Sequence, residues 1–266
     1  MIAEISAYLA VGGCAGFFAG LLGVGGGIIM VPALVMIFEA IGLPRALVFQ
    51  TALGTSMASI LFTSVSSLRT HHLYDAVIWP VVRTISPGIL LGTAAGTFLA
   101  RHLSVHALAI VFAGFVAFVA IQMTVNFQPK PSRALPGNWG ITLVGGGIGL
   151  ISALAAIGGG AFTVPFLTWC NVPLRRAIGT SAAVGFPIAL GGTLGYVFNG
   201  MNLSGLPPWS LGFVYLPALA GILATSIVAA VVGARTAHHL PIGALKRIFA
   251  GLLILLAVKM LHQLFK

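Results

Sequence analysis

The chain has 266 residues, 59% of them hydrophobic and 6% charged, with a mean hydropathy of +1.10; a water-soluble domain carries about 25% charged residues to cover its surface. Thirteen Lys or Arg against three acids (Glu4, Glu39, Asp75) give a formal charge of +10, yet the cations stand singly or in pairs between apolar stretches, as at Arg69, Arg101, Arg175-Arg176 and Arg235. The composition excludes a soluble globular fold, and the dispersal excludes a nucleic-acid face, which needs clustered cations for counterion release.

Taken in chain order, the apolar runs bounded by charge, Pro or Gly predict an all-α membrane protein of ten segments. The first ten residues hold Glu4 and no Lys or Arg, so the first segment, 5–22, is expected to stay in the protein rather than act as a cleaved signal. Segments 27–41, 47–68, 76–100 and 104–124 follow. The stretch 126–137 holds three prolines and two cations and reads as a linker between a first helical repeat, 1–125, and a second, 138–266. The second repeat has segments 138–156, 159–170, 176–198, 209–235 and 241–264.

The second segment of each half is shorter than the roughly 20 residues that cross a bilayer, and each begins at a triple glycine, Gly25-Gly26-Gly27 and Gly158-Gly159-Gly160. These segments either span with local thinning or turn back as re-entrant hairpins. Ten crossings make the repeats inverted and collect Arg69, Lys130, Arg133, Arg175, Arg176, Arg235, Lys246 and Arg247 on one side. Eight crossings make them parallel and split the cations almost evenly, so the positive-inside rule favours ten.

The halves overlay directly. Gly16, the triple glycine 25–27, Val31-Pro32 and Leu34 recur as Gly149, the triple glycine 158–160, Val164-Pro165 and Leu167. Ala52 and Gly54-Thr55-Ser56 recur as Ala177 and Gly179-Thr180-Ser181, and Pro80, Gly96, His102-Leu103 and Phe112 as Pro217, Gly233, His239-Leu240 and Phe249. Duplicated halves with Gly-interrupted short helices at matching places mark the substrate site of many transporters. A helix that starts inside the membrane presents free N–H groups and the positive end of its dipole, so an anion can be held there without burying an arginine.

The candidate substrate-binding residues are therefore Gly25, Gly26, Gly27, Gly158, Gly159 and Gly160, read as the openings of two half-helices toward a shared site, against the alternative of a tight helix crossing. Thr55, Ser56, Thr180 and Ser181 add hydroxyls, against the alternative that each bonds its own helix. Arg83 is the one cation placed within a segment; it either pairs with the anion or reaches for the membrane surface. Arg175-Arg176 read as anchors that could also draw anions to an inner mouth. Pro187 marks a kink without a counterpart in the first half.

His71-His72 and His238-His239 point about 100° apart on a helix and make poor chelates, and Cys14 and Cys170 read as packed apolar residues. No metal, cofactor or catalytic residue is expected. The acids all fall near segment ends, which gives no buried carboxylate relay for proton coupling. Export of an anion driven by membrane potential needs none.

The spaced run Gly16 to Pro32, its second copy, the paired Gly-Thr-Ser strings, Lys246-Arg247-Ile248-Phe249-Ala250-Gly251 and Ala257-Val258-Lys259-Met260-Leu261 resemble the TauE/SafE family of sulfite-exporter-like permeases. The resemblance implies a multi-pass protein of the bacterial inner (plasma) membrane that moves sulfite, sulfonates such as sulfoacetate, or related small organic anions. Its partners would be a small anionic substrate and the lipid bilayer, with no nucleic acid; nothing in the sequence specifies an oligomeric state. The second copy departs from the first in reading Ala153-Leu154-Ala155-Ala156-Ile157 where the first has Gly20-Leu21-Leu22-Gly23-Val24. Two other readings compete: an anion channel or facilitator, and a membrane-embedded sulfur-transfer enzyme using Cys14 or Cys170.

Overall fold

A computed structural model describes residues 2–22, 25–124, 133–239 and 242–264. Residues 126–132 of the predicted linker, and the side chains of His238 and His239, lie outside what is described. Among the described residues the chain forms ten α-helices: α1 (Ile2–Leu22), α2 (Gly27–Ala40), α3 (Arg45–Leu73), α4 (Trp79–His102), α5 (Val105–Thr124), α6 (Asn138–Ala155), α7 (Gly160–Trp169), α8 (Leu174–Gly200), α9 (Leu216–His239) and α10 (Ile242–Leu264). Six of them (α1, α3, α5, α6, α8 and α9) are long and apolar enough to cross a membrane.

The segment predicted at 209–235 divides. Trp209 (φ 67°) and Gly212 (φ 55°) take left-handed backbone, and a small antiparallel pair, β1 (Ser210–Leu211) and β2 (Val214–Tyr215), precedes α9. Two-residue strands inside an apolar run carry no period that a sequence could show.

Helix α3 is the most buried span and lies at the centre against α8. The two run antiparallel: Met57 meets Gly192, and Ser64 meets Gly185. Two parallel helix pairs flank them. On α1, Gly12, Gly16 and Gly20 face the carbonyls of Ile222, Ser226 and Ala230 on α9. On α4, Gly88, Gly92 and Gly96 face those of Thr142, Gly146 and Leu150 on α6. A methyl at any of the six would overlap backbone, so the four-residue glycine spacing sets the approach. Association by close backbone contact is expected in lipid, where burying apolar side chains gives little advantage.

These directions define two ends of the molecule. Helices α3 and α5 begin at the first end and α4, α6 and α8 at the second, with α9 beginning at the first. Large apolar side chains such as Leu91, Trp139, Leu143, Phe198 and Val228 are exposed along the outside. Exposed Trp79 and Trp139 start α4 and α6 at the second end, and exposed Trp209 sits on the hairpin at the first. Indole rings favour the membrane–water boundary, which suits this spacing.

Candidate functional site

The two triple glycines meet. A Cβ added to Gly25 would lie 2.5 Å from Cα and 2.6 Å from the backbone nitrogen of Gly158, and 3.4 Å from Cγ2 of the fully buried Ile60 in the middle of α3. Gly27 abuts the carbonyl of Ala156. Gly25 (φ 86°) and Gly26 (φ 74°) are left-handed, conformations that only glycine adopts without strain, and this breaks the chain between α1 and α2. Gly159 is right-handed (φ −57°). The break between α6 and α7 falls instead at Ala156 (φ 46°), whose N–H bonds the Ser152 carbonyl. In the second copy the left-handed residue thus stands two to three positions before those that overlay Gly25 and Gly26.

Helices α2 and α7 both start at this meeting point, and neither has a side-chain cap. Their first-turn N–H groups have no partner within the helix, and the two dipoles present positive ends to the same region. Gly159 also places α7 against α8: its Cβ would lie 3.1 Å from the Ser181 carbonyl and 3.1 Å from Val184 Cγ1.

The hydroxyls of the Gly-Thr-Ser strings divide in role. Thr55 Oγ1 accepts the backbone N–H of Tyr215 at 3.0 Å, and Thr180 Oγ1 accepts that of Ile78 at 3.0 Å. Each threonine thus ties the chain leading into a flanking helix to a central one. Ser181 donates to the Ile178 carbonyl at 2.7 Å. Ser56 Oγ is buried with no hydrogen-bond partner. Arg83 is exposed on α4 and is not brought to the glycines.

Beside Gly25 lies a small cavity that the sequence reading missed, lined by Ala19, Ile60, Thr63, Ser64, Ser67 and residues 182 and 185 of α8. Thr63 donates to the Ser59 carbonyl at 3.2 Å and Ser64 to that of Leu61 at 2.9 Å. Ser59 Oγ and Ser67 Oγ are buried and unpartnered. Ser59, Thr63 and Ser67 stand four residues apart and so form one stripe of α3 running from the middle toward the second end. The positions that overlay them on α8 are Val184, Ile188 and Gly192. The spacing is visible in the sequence, but a lone membrane serine ordinarily bonds its own helix, and the stripe has to be seen whole.

Of the two candidate nucleophiles, Cys14 is exposed on α1 and Cys170 is buried. Cys170 follows α7, and burial pushes its thiol upward while the Arg133 guanidinium pulls it back; a raised thiol holds little of the nucleophilic thiolate at neutral pH.

Comparison with known proteins places this architecture. The family model described as "Sulfite exporter TauE/SafE" matches residues 8–260. A "Probable membrane transporter protein" of Haemophilus influenzae is 38% identical over 255 residues, 95% of this chain and 96% of that protein. Similar proteins with the same description occur in Methanocaldococcus jannaschii (27% identical, 82% of this chain and 80% of that protein) and Bacillus subtilis (25%, 90% and 96%). No solved structure matches the chain. The ten helices of its described residues, its apolar spans and a match over nearly its whole length agree: the chain belongs to the TauE/SafE family of sulfite-exporter-like membrane transporters.

Proposed function

We propose that the chain is a secondary transporter that exports small oxyanions such as sulfite or sulfonates across the bacterial inner membrane, with its site where the two triple glycines meet. The observation that carries this is the contact between Gly25 and Gly158 at the starts of two uncapped half-helices, beside a small cavity lined by three hydroxyls, of which the buried Ser67 Oγ is unpartnered. Hydroxyls and backbone N–H groups are neutral donors. They can replace an anion's water without burying a permanent cation, whose cost at mid-bilayer is at least about 2.5–3.5 kcal/mol.

The site sits between two repeats, 1–125 and 138–266, joined by the linker 126–137. Exchanging α1–α5 with α6–α10 along the sequence overlay turns one set of contacts into another. Thr55 with Tyr215 becomes Thr180 with Ile78. Gly54 against Phe213 becomes Gly179 against Ala76, and Gly16 against Ser226 becomes Gly149 against Ile89. His71 Nε2 beside the Gly20 carbonyl, at 3.3 Å, becomes Tyr196 donating to the Ala153 carbonyl at 2.9 Å. Because α1 begins at the first end and α6 at the second, the repeats are inverted.

Exposed Arg69, Arg133, Arg175, Arg176 and Arg235 cluster toward the second end, and Arg45 and Arg101 lie at the first. The positive-inside rule then makes the second end cytoplasmic. The α3 stripe leads from that end to the glycines, which supports loading from the cytoplasm. A monovalent anion leaving a negative interior gains about 2.3 kcal/mol per 100 mV. Rocking of one repeat against the other would then expose the site to the far side.

The test is flux of sulfite and sulfoacetate in proteoliposomes with membrane potential and pH gradient set independently. Saturable flux that follows potential, shows counterflow and disappears when Gly26 or Gly159 is replaced by Val supports the carrier. Flux without saturation or counterflow would make the protein a channel. Uptake strictly dependent on a proton gradient would overturn potential-driven export.

A further inference from the structure

A second polar site lies away from the glycines. At the first end, a cleft of about 480 Å³ is lined by Arg45, Gln50, Arg101, Ser104 and His106, together with three apolar residues and no acidic one. Arg45 is the first residue of α3, whose N-cap is Pro44 and has no side-chain cap. The intrahelical bonds to the Pro44 carbonyl start at Leu47 and Val48, so the N–H groups of Arg45 and Ala46 are first-turn donors without a helical acceptor. Arg101 lies in the last turn of α4, and Ser104 opens α5, its Oγ accepting the Ala107 N–H at 3.2 Å. Two guanidinium-bearing residues and the positive ends of two helices thus surround one opening. Gln50 gives the cleft its floor: it is buried, and its Oε1 has no hydrogen-bond partner. A buried amide oxygen left without a donor carries an uncompensated desolvation penalty unless something fills the site.

We infer that this cleft binds a phosphate-type oxyanion carrying its own hydroxyl, with Arg45 and Arg101 on the oxyanion and the Gln50 amide on the hydroxyl. The cleft has room for more than an anion of four or five atoms, and it opens where helices meet the membrane surface. Glycerol phosphate chemistry fits both requirements, supplied either by an anionic lipid headgroup or free in solution. The site does not depend on the glycine site: α3 begins at the one and passes the other at Ile60, so the two have separate residues and separate tests.

The intact protein in phosphatidylcholine nanodiscs would be titrated with sn-glycerol 3-phosphate and followed by thermal unfolding. In parallel, retention of phosphatidylglycerol over phosphatidylcholine would be counted by native mass spectrometry. Arg45→Gln/Arg101→Gln is compared with Arg235→Gln, which removes an exposed cation elsewhere. Each lost charge-assisted contact should weaken binding about tenfold or more. Saturable binding of glycerol phosphate lost only in the double variant supports the site with a soluble ligand. Phosphatidylglycerol retention lost only in the double variant supports it with a lipid. The variant Gln50→Leu, which keeps both arginines, should weaken whichever ligand binds. Equal binding by wild type and the double variant in both arms, or no binding of either ligand by wild type, overturns the inference.

Discussion

Ala156 holds a left-handed backbone (φ 46°) at the turn between α6 and α7, which costs a non-glycine residue about 1–2 kcal/mol. Its carbonyl abuts Gly27, where a side chain would overlap it, so the strain accompanies the contact between the two glycine runs. Glycine there would relieve the strain and give back about 0.5–1 kcal/mol through its freer unfolded chain. Ala156→Gly should therefore raise the unfolding temperature in detergent by a degree or more, and a fall would mean that the Ala156 methyl packs more favourably than the strain costs. The buried hydroxyls Ser59 and Ser67 make the opposite case. Each is an unpartnered polar atom in the resting protein, so removing it relieves a desolvation penalty. Ser59→Ala/Ser67→Ala should leave stability equal or higher while weakening apparent anion affinity in flux assays about tenfold, the scale of one hydrogen bond to a charged group. Unchanged affinity would remove the stripe from the proposed path.

At the scale of helices, the ten apolar runs were legible because charge, Pro and Gly bound them, and α2 and α7 begin within a residue of the positions expected from their triple glycines. The small strands before α9 were not legible, because Ser210 to Tyr215 is too short for any period. The meeting of Gly25 with Gly158 joins residues half the chain apart, which local pattern cannot give. The Thr55 and Thr180 hydroxyls read equally well as ligands or as helix-bonded groups; the geometry has each accepting a distant backbone N–H instead. Ala156 gave no signal, since alanine ordinarily marks helix. The two threonine ties lead to a paired prediction. Thr55→Val leaves the Tyr215 N–H without its acceptor, and Thr180→Val does the same to Ile78. Each should cost about 1–3 kcal/mol, and the two should be similar, because they hold matching junctions. Loss of stability in one alone would argue against equivalent halves.

The whole molecule turns on how its two ends face the membrane. Parallel packing of α1 with α9 and of α4 with α6, and antiparallel packing of α3 with α8, fix the relative direction of these helices. Alternation along the chain then puts Ser104 at the first end and Arg133, whose N–H bonds the Trp169 carbonyl, at the second. Hairpins α1–α2 and α6–α7 would each leave and return at the same end if α2 and α7 stop at mid-membrane. Each half then still changes sides an odd number of times, as the proposed inversion of the repeats requires. The alternative of parallel repeats needs an even number per half and would make the matching helices α3 and α8 parallel, contrary to the contacts of Met57 with Gly192 and of Ser64 with Gly185. In a background with Cys14 and Cys170 replaced by Ala, single cysteines at Ser104 and Arg133 should react with a membrane-impermeant maleimide from opposite sides. The side reached at Arg133 should be the cytoplasm, as its neighbouring cations require. Labelling of both from one side would overturn the inverted arrangement; labelling of Arg133→Cys from outside would keep the fold and reverse the direction in which the α3 stripe opens.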